Sequence, residues 1–215
     1  MIQPRARGSV LVEGVSRSFR GRQVLRDVDL RLGPGVVAAI LGENGSGKTT
    51  LLRLLAGTVF PDDGTISVCG GPPGRGSSSF VPSGDRALYW RLTGRADLAF
   101  FARISGLDPV EVTRVTESAA AAVGAESLLE KPIGECSTGQ RRRLVFAQGL
   151  VGRAPVLLAD EPFDDLDEPG RIAVGKVMHS WAGAGGVVVF AAPASADGPQ
   201  ADLVFGLDAA RLEQA

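Results

Sequence analysis

Cysteine, histidine and lysine are scarce in this chain, and each scarcity narrows what it can do. Cys69 and Cys136 are its two cysteines; they stand far apart with no metal-type spacing, which supports neither a disulfide framework nor a zinc site and reads as reduced thiols. The one histidine, His179, lies near Trp181 in a helical stretch and reads as a surface or packing residue. Only Lys48, Lys131 and Lys176 among the 23 basic residues are lysine, a bias of coding with no functional reading. Net charge is nearly absent too, at -1, so no long-range field recruits nucleic acid. No apolar run approaches the roughly 18 residues of a membrane-spanning helix. Met1-Ile2-Gln3-Pro4-Arg5 opens no signal-peptide stretch. The expected location is therefore the cytoplasm.

What is present is a chain of 215 residues, 44% of them hydrophobic, long enough for a full core in one domain or a domain with a sub-lobe. Its organising stretch is Gly42-Glu43-Asn44-Gly45-Ser46-Gly47-Lys48-Thr49, between the apolar run Val36–Leu41 and Thr50-Leu51-Leu52-Arg53-Leu54-Leu55. Strand, glycine loop and helix in that order form the G-x-x-x-x-G-K-[ST] phosphate-binding pattern. The glycines let backbone N–H groups wrap an anion, and the helix directs its positive dipole end to the same point. Gly42, Asn44, Gly45, Ser46, Gly47, Lys48, Thr49 and Thr50 are the expected cradle. Lys48 would reach the β- and γ-phosphates of a nucleotide and the Thr49 hydroxyl would hold Mg²⁺.

Around this loop, Val10–Val15 and Leu25–Leu32 read as strands, linked through a turn at Phe19-Arg20-Gly21-Arg22 with an exposed aromatic. A short strand is expected at Thr65–Val68, then a loop from Gly70 to Ser79 and the strand-like Ser79-Phe80-Val81-Pro82. From Leu92 to Leu129 the pattern is helical, with Leu98, Phe101 and Ile104, then Val112, Val115 and Ala119, at helical spacing. A second α/β stretch follows: a helix Gln140–Val151, a strand Val156–Ala159, a helix Pro169–Trp181 and a strand Val187–Phe190. The strand Val156-Leu157-Leu158-Ala159 ends in Asp160-Glu161, as in a Walker B element. The carboxyl end of a parallel strand opens on the ligand crevice, so Asp160 would approach the Mg²⁺ of Thr49 and Glu161 would activate the attacking water. Ser137-Thr138-Gly139-Gln140 offers a second anion-binding nest at a helix start. Read alone it is a helix cap, and Arg141 to Arg143 a solvated basic face.

Phosphate loop, helical block, Ser-x-Gly-Gln turn and Asp-Glu strand, in this order and over essentially the whole chain, resemble the ATP-binding-cassette (ABC) ATPases. Cys136-Ser137-Thr138-Gly139-Gln140 is similar to the family signature Leu-Ser-Gly-Gly-Gln with its first and third positions changed. Phe19 matches the aromatic that stacks on adenine, and Asp160–Asp167 resembles Walker B plus the dimer-contacting D-loop. Leu88–Arg95 resembles the helical-subdomain entry of cassettes serving ABC-2-type exporters. The resemblance implies a mixed-sheet P-loop NTPase core over 1–82 and 134–215, with an N-terminal antiparallel layer and a helical subdomain over about 83–133. It implies ATP and Mg²⁺ as cofactors and Lys48 and Glu161 as the catalytic pair. It further implies a second cassette, self or a different chain, whose ATP meets Ser137, Gly139 and Gln140, and a separate membrane permease pushed through the surface near Tyr89 and Trp90. The chain would then sit on the inner face of the cell membrane.

Two further positions depart from the family pattern. Ser83 stands where a Gln is usual, with Asp85 nearby as a substitute, and Pro193 stands where a His is usual. The implied outcome is tight nucleotide binding with slow hydrolysis, since losing one preorganised hydrogen-bonding group costs on the order of 100-fold in rate. Other readings are a regulatory or interaction module, or the degenerate half of a cassette heterodimer, that binds ATP with little or no hydrolysis, a soluble cassette of DNA repair or translation, and a small P-loop kinase.

Overall fold

The structure is a computed structural model that describes residues 2–74, 76–195 and 201–214. Two sheets sandwich one helix. The first sheet is antiparallel, in the order β2-β1-β4, from β1 (Val10–Phe19), β2 (Arg22–Leu32) and β4 (Asp63–Val68). Its β1–β2 hairpin turns through Arg20 and Gly21, both at positive φ, the backbone pair that matches the twist of the flanking strands. The second sheet runs β5-β6-β7-β3-β8-β9. It comprises β3 (Val36–Gly42), β5 (Ser78–Val81), β6 (Val156–Asp160), β7 (Val187–Pro193), β8 (Leu203–Asp208) and β9 (Arg211–Gln214). All its neighbours pair in parallel except β9, which returns antiparallel on β8.

The central strands β6 and β7 are nearly continuous apolar runs, as strands covered on both faces must be. Successive side chains point to opposite faces, and each face seeds its own core. Ala38, Ile40, Leu158 and Val189 pack with α1 (Lys48–Leu55) and the antiparallel sheet. Val37, Ala39, Leu157 and Phe190 pack with the other helices. These are α2 (Gly94–Ile104), α3 (Pro109–Ala122), α4 (Thr138–Val151) and α5 (Glu168–Gly183). A side-chain oxygen caps the start of each: Thr93, Asp108, Ser137 and Asp167 respectively. Asp97 of α2 is buried and accepts from the Tyr89 backbone N–H at 3.0 Å and from Gln148 Nε2 at 3.0 Å. Burial pushes its carboxyl up, and those two hydrogen bonds act against the shift.

Sequence periodicity does not announce β8 and β9. Leu203–Asp208 is short and interrupted by Gly206, and its place is fixed by a distant partner: Asp202 Oδ2 accepts the Val37 N–H at 2.8 Å, which starts β8 alongside β3. The loop expected from Gly70 to Ser79 gives way to β5 at Ser78; Arg75 within it lies outside the described residues. No helix among the described residues is long and apolar enough to cross a membrane.

Leu158 is fully buried at the middle of β6. Leu158→Ala is expected to lower unfolding free energy by about 3 kcal/mol, read by urea denaturation; a loss below about 1 kcal/mol would mean that this layer is not close-packed.

Candidate functional site

β3 ends at Gly42, and the chain then makes a tight loop into α1. Gly42 has no room for a side chain: a Cβ there would meet the Leu207 carbonyl at 2.5 Å and Ser46 Oγ at 2.6 Å. Gly47 caps α1 at φ +113°, where a Cβ would lie 2.8 Å from the Val24 carbonyl of β2. The hairpin of the antiparallel sheet therefore rests on the glycine loop. Asn44 and Gly45 are exposed at its crest, and Thr50 is half-buried in the first turn of α1.

Lys48 is buried, and its ammonium donates to the carbonyls of Gly42 at 2.7 Å and Glu43 at 3.0 Å. Among the described residues it forms no ion pair. Ser46 Oγ is buried and has no hydrogen-bond partner among the described residues. A cation without a carboxylate, an orphaned hydroxyl and a helix N-terminus fit a phosphate chain.

The Thr49 hydroxyl donates to Asp160 Oδ2 at 2.8 Å, joining residues 111 positions apart. Hydroxyl and carboxylate oxygens at one point are the hard donors that Mg²⁺ takes alongside phosphate. Glu161 follows at φ +50° and donates its N–H to the Ala191 carbonyl at 3.0 Å. Burial raises its carboxyl above the usual range, Asp164 and Asp160 add to this, and Lys48 and Arg142 oppose it. A raised carboxyl beside a cation is suited to taking a proton from water.

Pro193 stands at the end of β7, in register with Gly42 at the start of the glycine loop. It brings no side-chain donor and no N–H to that edge. His179 is exposed on α5. Ser83 is exposed, and Asp85 is turned to α4, where Arg141 Nε donates to its Oδ2 at 2.6 Å. Arg141 also lies 4.7 Å over the Trp90 ring. Trp90 and Tyr89 are exposed, with Tyr89 against Phe100 and Phe101.

Ser137 begins α4 with a capping box. Its Oγ accepts the Gln140 N–H at 3.2 Å, and Gln140 Oε1 accepts the Ser137 N–H at 3.0 Å. Lys131 Nζ donates to the same Oε1 at 3.2 Å, which places a second cation beside the turn. Gly139 abuts the loop after β6: a Cβ there would lie 2.8 Å from the Asp165 carbonyl. Phe19 closes β1, 41% exposed, with the Arg17 guanidinium 4.6 Å over one ring face.

One expectation is corrected outright. Arg142 is no part of a solvated basic face; it is 2% exposed. Burial lowers its pKa, and the carboxylates of Asp164, Asp160, Asp165 and Glu161 draw it back up. Its position was available from spacing, because residues 142, 146 and 150 share the inward stripe of α4 with Phe146 and Leu150.

Glycine loop, buried lysine and an Asp-Glu strand end define a P-loop nucleotide-binding site. Residues 25–164 match the family described as ABC transporter. The chain belongs to that family, as an ATP-binding ATPase subunit. It is 36% identical over 179 residues to the cytochrome c biogenesis ATP-binding export protein CcmA of Rhodopseudomonas palustris, spanning 80% of this chain and 84% of that protein. It is 38% identical over 179 residues to the aliphatic sulfonates import ATP-binding protein SsuB of Delftia acidovorans, spanning 83% and 70%. Among solved structures it is similar to cbiO1 from Clostridium perfringens, part of the ABC transporter complex cbiONQ. That similarity has a TM-score of 0.84 at 26% identity and covers 98% of this chain and 89% of that one.

Gly47→Ala forces a side chain into the left-handed region and onto Val24. It is expected to cost about 2 kcal/mol of stability and to weaken ATP binding, measured by thermal melting and nucleotide titration. Unchanged values of both would show that the loop has another resting shape.

Proposed function

We propose that this chain is the ATP-hydrolysing subunit of a membrane exporter, working with a membrane-spanning permease carried on another chain. The observation that supports it most directly is the Thr49–Asp160 hydrogen bond, with Glu161 next in sequence. In this reading Gly42, Asn44, Gly45, Ser46, Gly47, Lys48 and Thr50 hold the triphosphate. Phe19 offers its free ring face to adenine. Thr49 and Asp160 hold Mg²⁺, which when bound draws charge from the β- and γ-phosphate oxygens. Lys48 compensates charge on the transferred phosphoryl group, and Glu161 orients and deprotonates water.

The direction of transport rests on the resemblance of Leu88–Arg95 to exporter cassettes; the similar CcmA proteins are described as export proteins and SsuB as an import protein. In this reading the exposed rings of Tyr89 and Trp90 face a permease, and the chain sits on the inner face of the membrane. Two cassettes close head to tail around ATP, so that Ser137, Gly139 and Gln140 cover the γ-phosphate bound by the partner, whether a second copy or a different chain. Hydrolysis is slow, because Pro193 occupies the edge beside Gly42 and supplies no donor to it.

Glu161→Gln with ATP is expected to run as a dimer in size exclusion with light scattering, and Ser137→Arg in the same background to stay monomeric. A monomer in both cases argues for a different partner cassette, and a dimer in both would remove Ser137 from the interface. Pro193→His should raise turnover by about tenfold or more at unchanged ATP affinity; equal or lower turnover would show that this edge does not limit the reaction.

A further inference from the structure

Arg142 is one of five polar or charged residues buried among the described ones, with Lys48, Asp97, Thr116 and Asp160. It belongs to none of the site motifs. Its hydrogen bonds all go to backbone carbonyls, and those carbonyls belong to two different segments. Nη2 donates to Asp160 O at 2.8 Å and Glu161 O at 2.6 Å. Nη1 donates to Pro82 O and, at 3.3 Å, to Gly84 O.

The sheet explains why a guanidinium is needed here. β5 and β6 pair in parallel up to Val81 and Ala159. Beyond that pair β5 departs into the loop 82–85, while β6 continues through Asp160, still beside Ala191 of β7. On the β5 side the Asp160 carbonyl that ends β6 therefore has no strand neighbour, and a buried carbonyl left without a donor is destabilising. Arg142, projecting from α4, takes the place of the missing strand with a rigid planar fork of donors. The same fork grips the loop that β5 has become.

The consequence falls on Glu161. Its φ of +50° is a conformation that a residue with a side chain holds only under constraint. Three bonds fix it: its own N–H to Ala191 on one side, and on the other its carbonyl, which accepts from Arg142 at 2.6 Å and from the Asp164 N–H at 3.2 Å. The orientation of this peptide sets where the Glu161 carboxylate lies relative to the glycine loop.

We propose that Arg142 is a positioning residue for ATP hydrolysis, holding the Asp160–Glu161 peptide in its left-handed turn and tying to it the loop Pro82–Asp85 that replaces the usual glutamine segment. The inference rests on the reading of Glu161 as the residue that activates water. Arg142 itself hydrogen-bonds no cradle residue and reaches the cradle only through Asp160, whose carboxylate takes the Thr49 hydroxyl, so turnover falls further than nucleotide affinity when Arg142 is changed. Lys at this position keeps the charge and loses the fork; Gln loses both.

The test uses the full chain with Arg142→Lys, Arg142→Gln and Glu161→Gln beside wild type. Single-turnover hydrolysis of Mg²⁺-ATP gives the rate, nucleotide titration the affinity, and thermal melting the stability. The expected result is a rate about 100-fold lower in Arg142→Gln, intermediate in Arg142→Lys, with ATP affinity within about threefold of wild type. Where Arg142→Gln does not fold, Arg142→Lys carries the same comparison. A folded Arg142 variant with the wild-type rate overturns the proposal, and so does a rate that falls only in proportion to affinity and melting temperature. If Glu161→Gln hydrolyses as fast as wild type, the role of Glu161 fails and the proposal falls with it. If Glu161→Gln is inactive and the Arg142 variants are unimpaired, only the role of Arg142 is lost.

Discussion

Parallel pairing of β7 between β3 and β6 is the constraint on which the site depends. Because the three strands run the same way, their carboxyl ends share one edge. That edge receives Gly42 from β3, Asp160 from β6 and Pro193 from β7. A phosphate loop at the end of β3 therefore faces whatever residues finish its neighbours, and the Thr49–Asp160 contact follows from the register. Antiparallel pairing of the same strands would put Asp160 at the opposite edge. The two cores hold this arrangement from both faces, α1 on one side and α4 and α5 on the other.

Strain and buried charge collect at the same edge. Gly47, Glu161 and Asp165 have positive φ, and Lys48, Asp160 and Arg142 are the buried charges there. Three consecutive residues of α4 distribute themselves around it, each about 100° further round the helix. Arg141 takes Asp85 and Trp90 at the outer loop. Arg142 takes the carbonyls at the ends of β5 and β6. Arg143 takes Asp167, the cap of α5, and the Gly124 carbonyl after α3; its hydrogen bond holds the Asp167 carboxyl below the usual range. One turn of helix after Ser137 thus binds the exposed aromatic loop, the Glu161 turn and the following helix into one unit.

Much of this was legible in the chain itself. The glycine loop, the apolar run into Asp160-Glu161 and the cap at Ser137 are local signals, and local chemistry places them; the Asp167 cap of α5 came with the structure. The family followed from their order, which no single motif supplies. What sequence spacing hid is what distant partners decide. β8 is placed by Asp202 against Val37, and the Arg141–Arg143 run looks solvated until helix periodicity assigns its middle member inward. Asp85 looks free to replace a glutamine until Arg141 is found bound to it. Sequence alone does not say whether the Tyr89 and Trp90 rings are buried; in the fold both are exposed, while Asp97 and Gln148 hold the neighbouring backbone.

The central claim is that the converged strand ends make a working, slow ATPase centred on Glu161. Its most direct test is steady-state Mg²⁺-ATP hydrolysis by the purified chain against Glu161→Gln, with ATP affinity measured in parallel and Lys48→Ala as the binding control. The account predicts that ATP binds to both proteins, that Lys48→Ala loses binding, and that wild-type turnover is low but above the Glu161→Gln background. Tight binding with turnover equal to that background would contradict it.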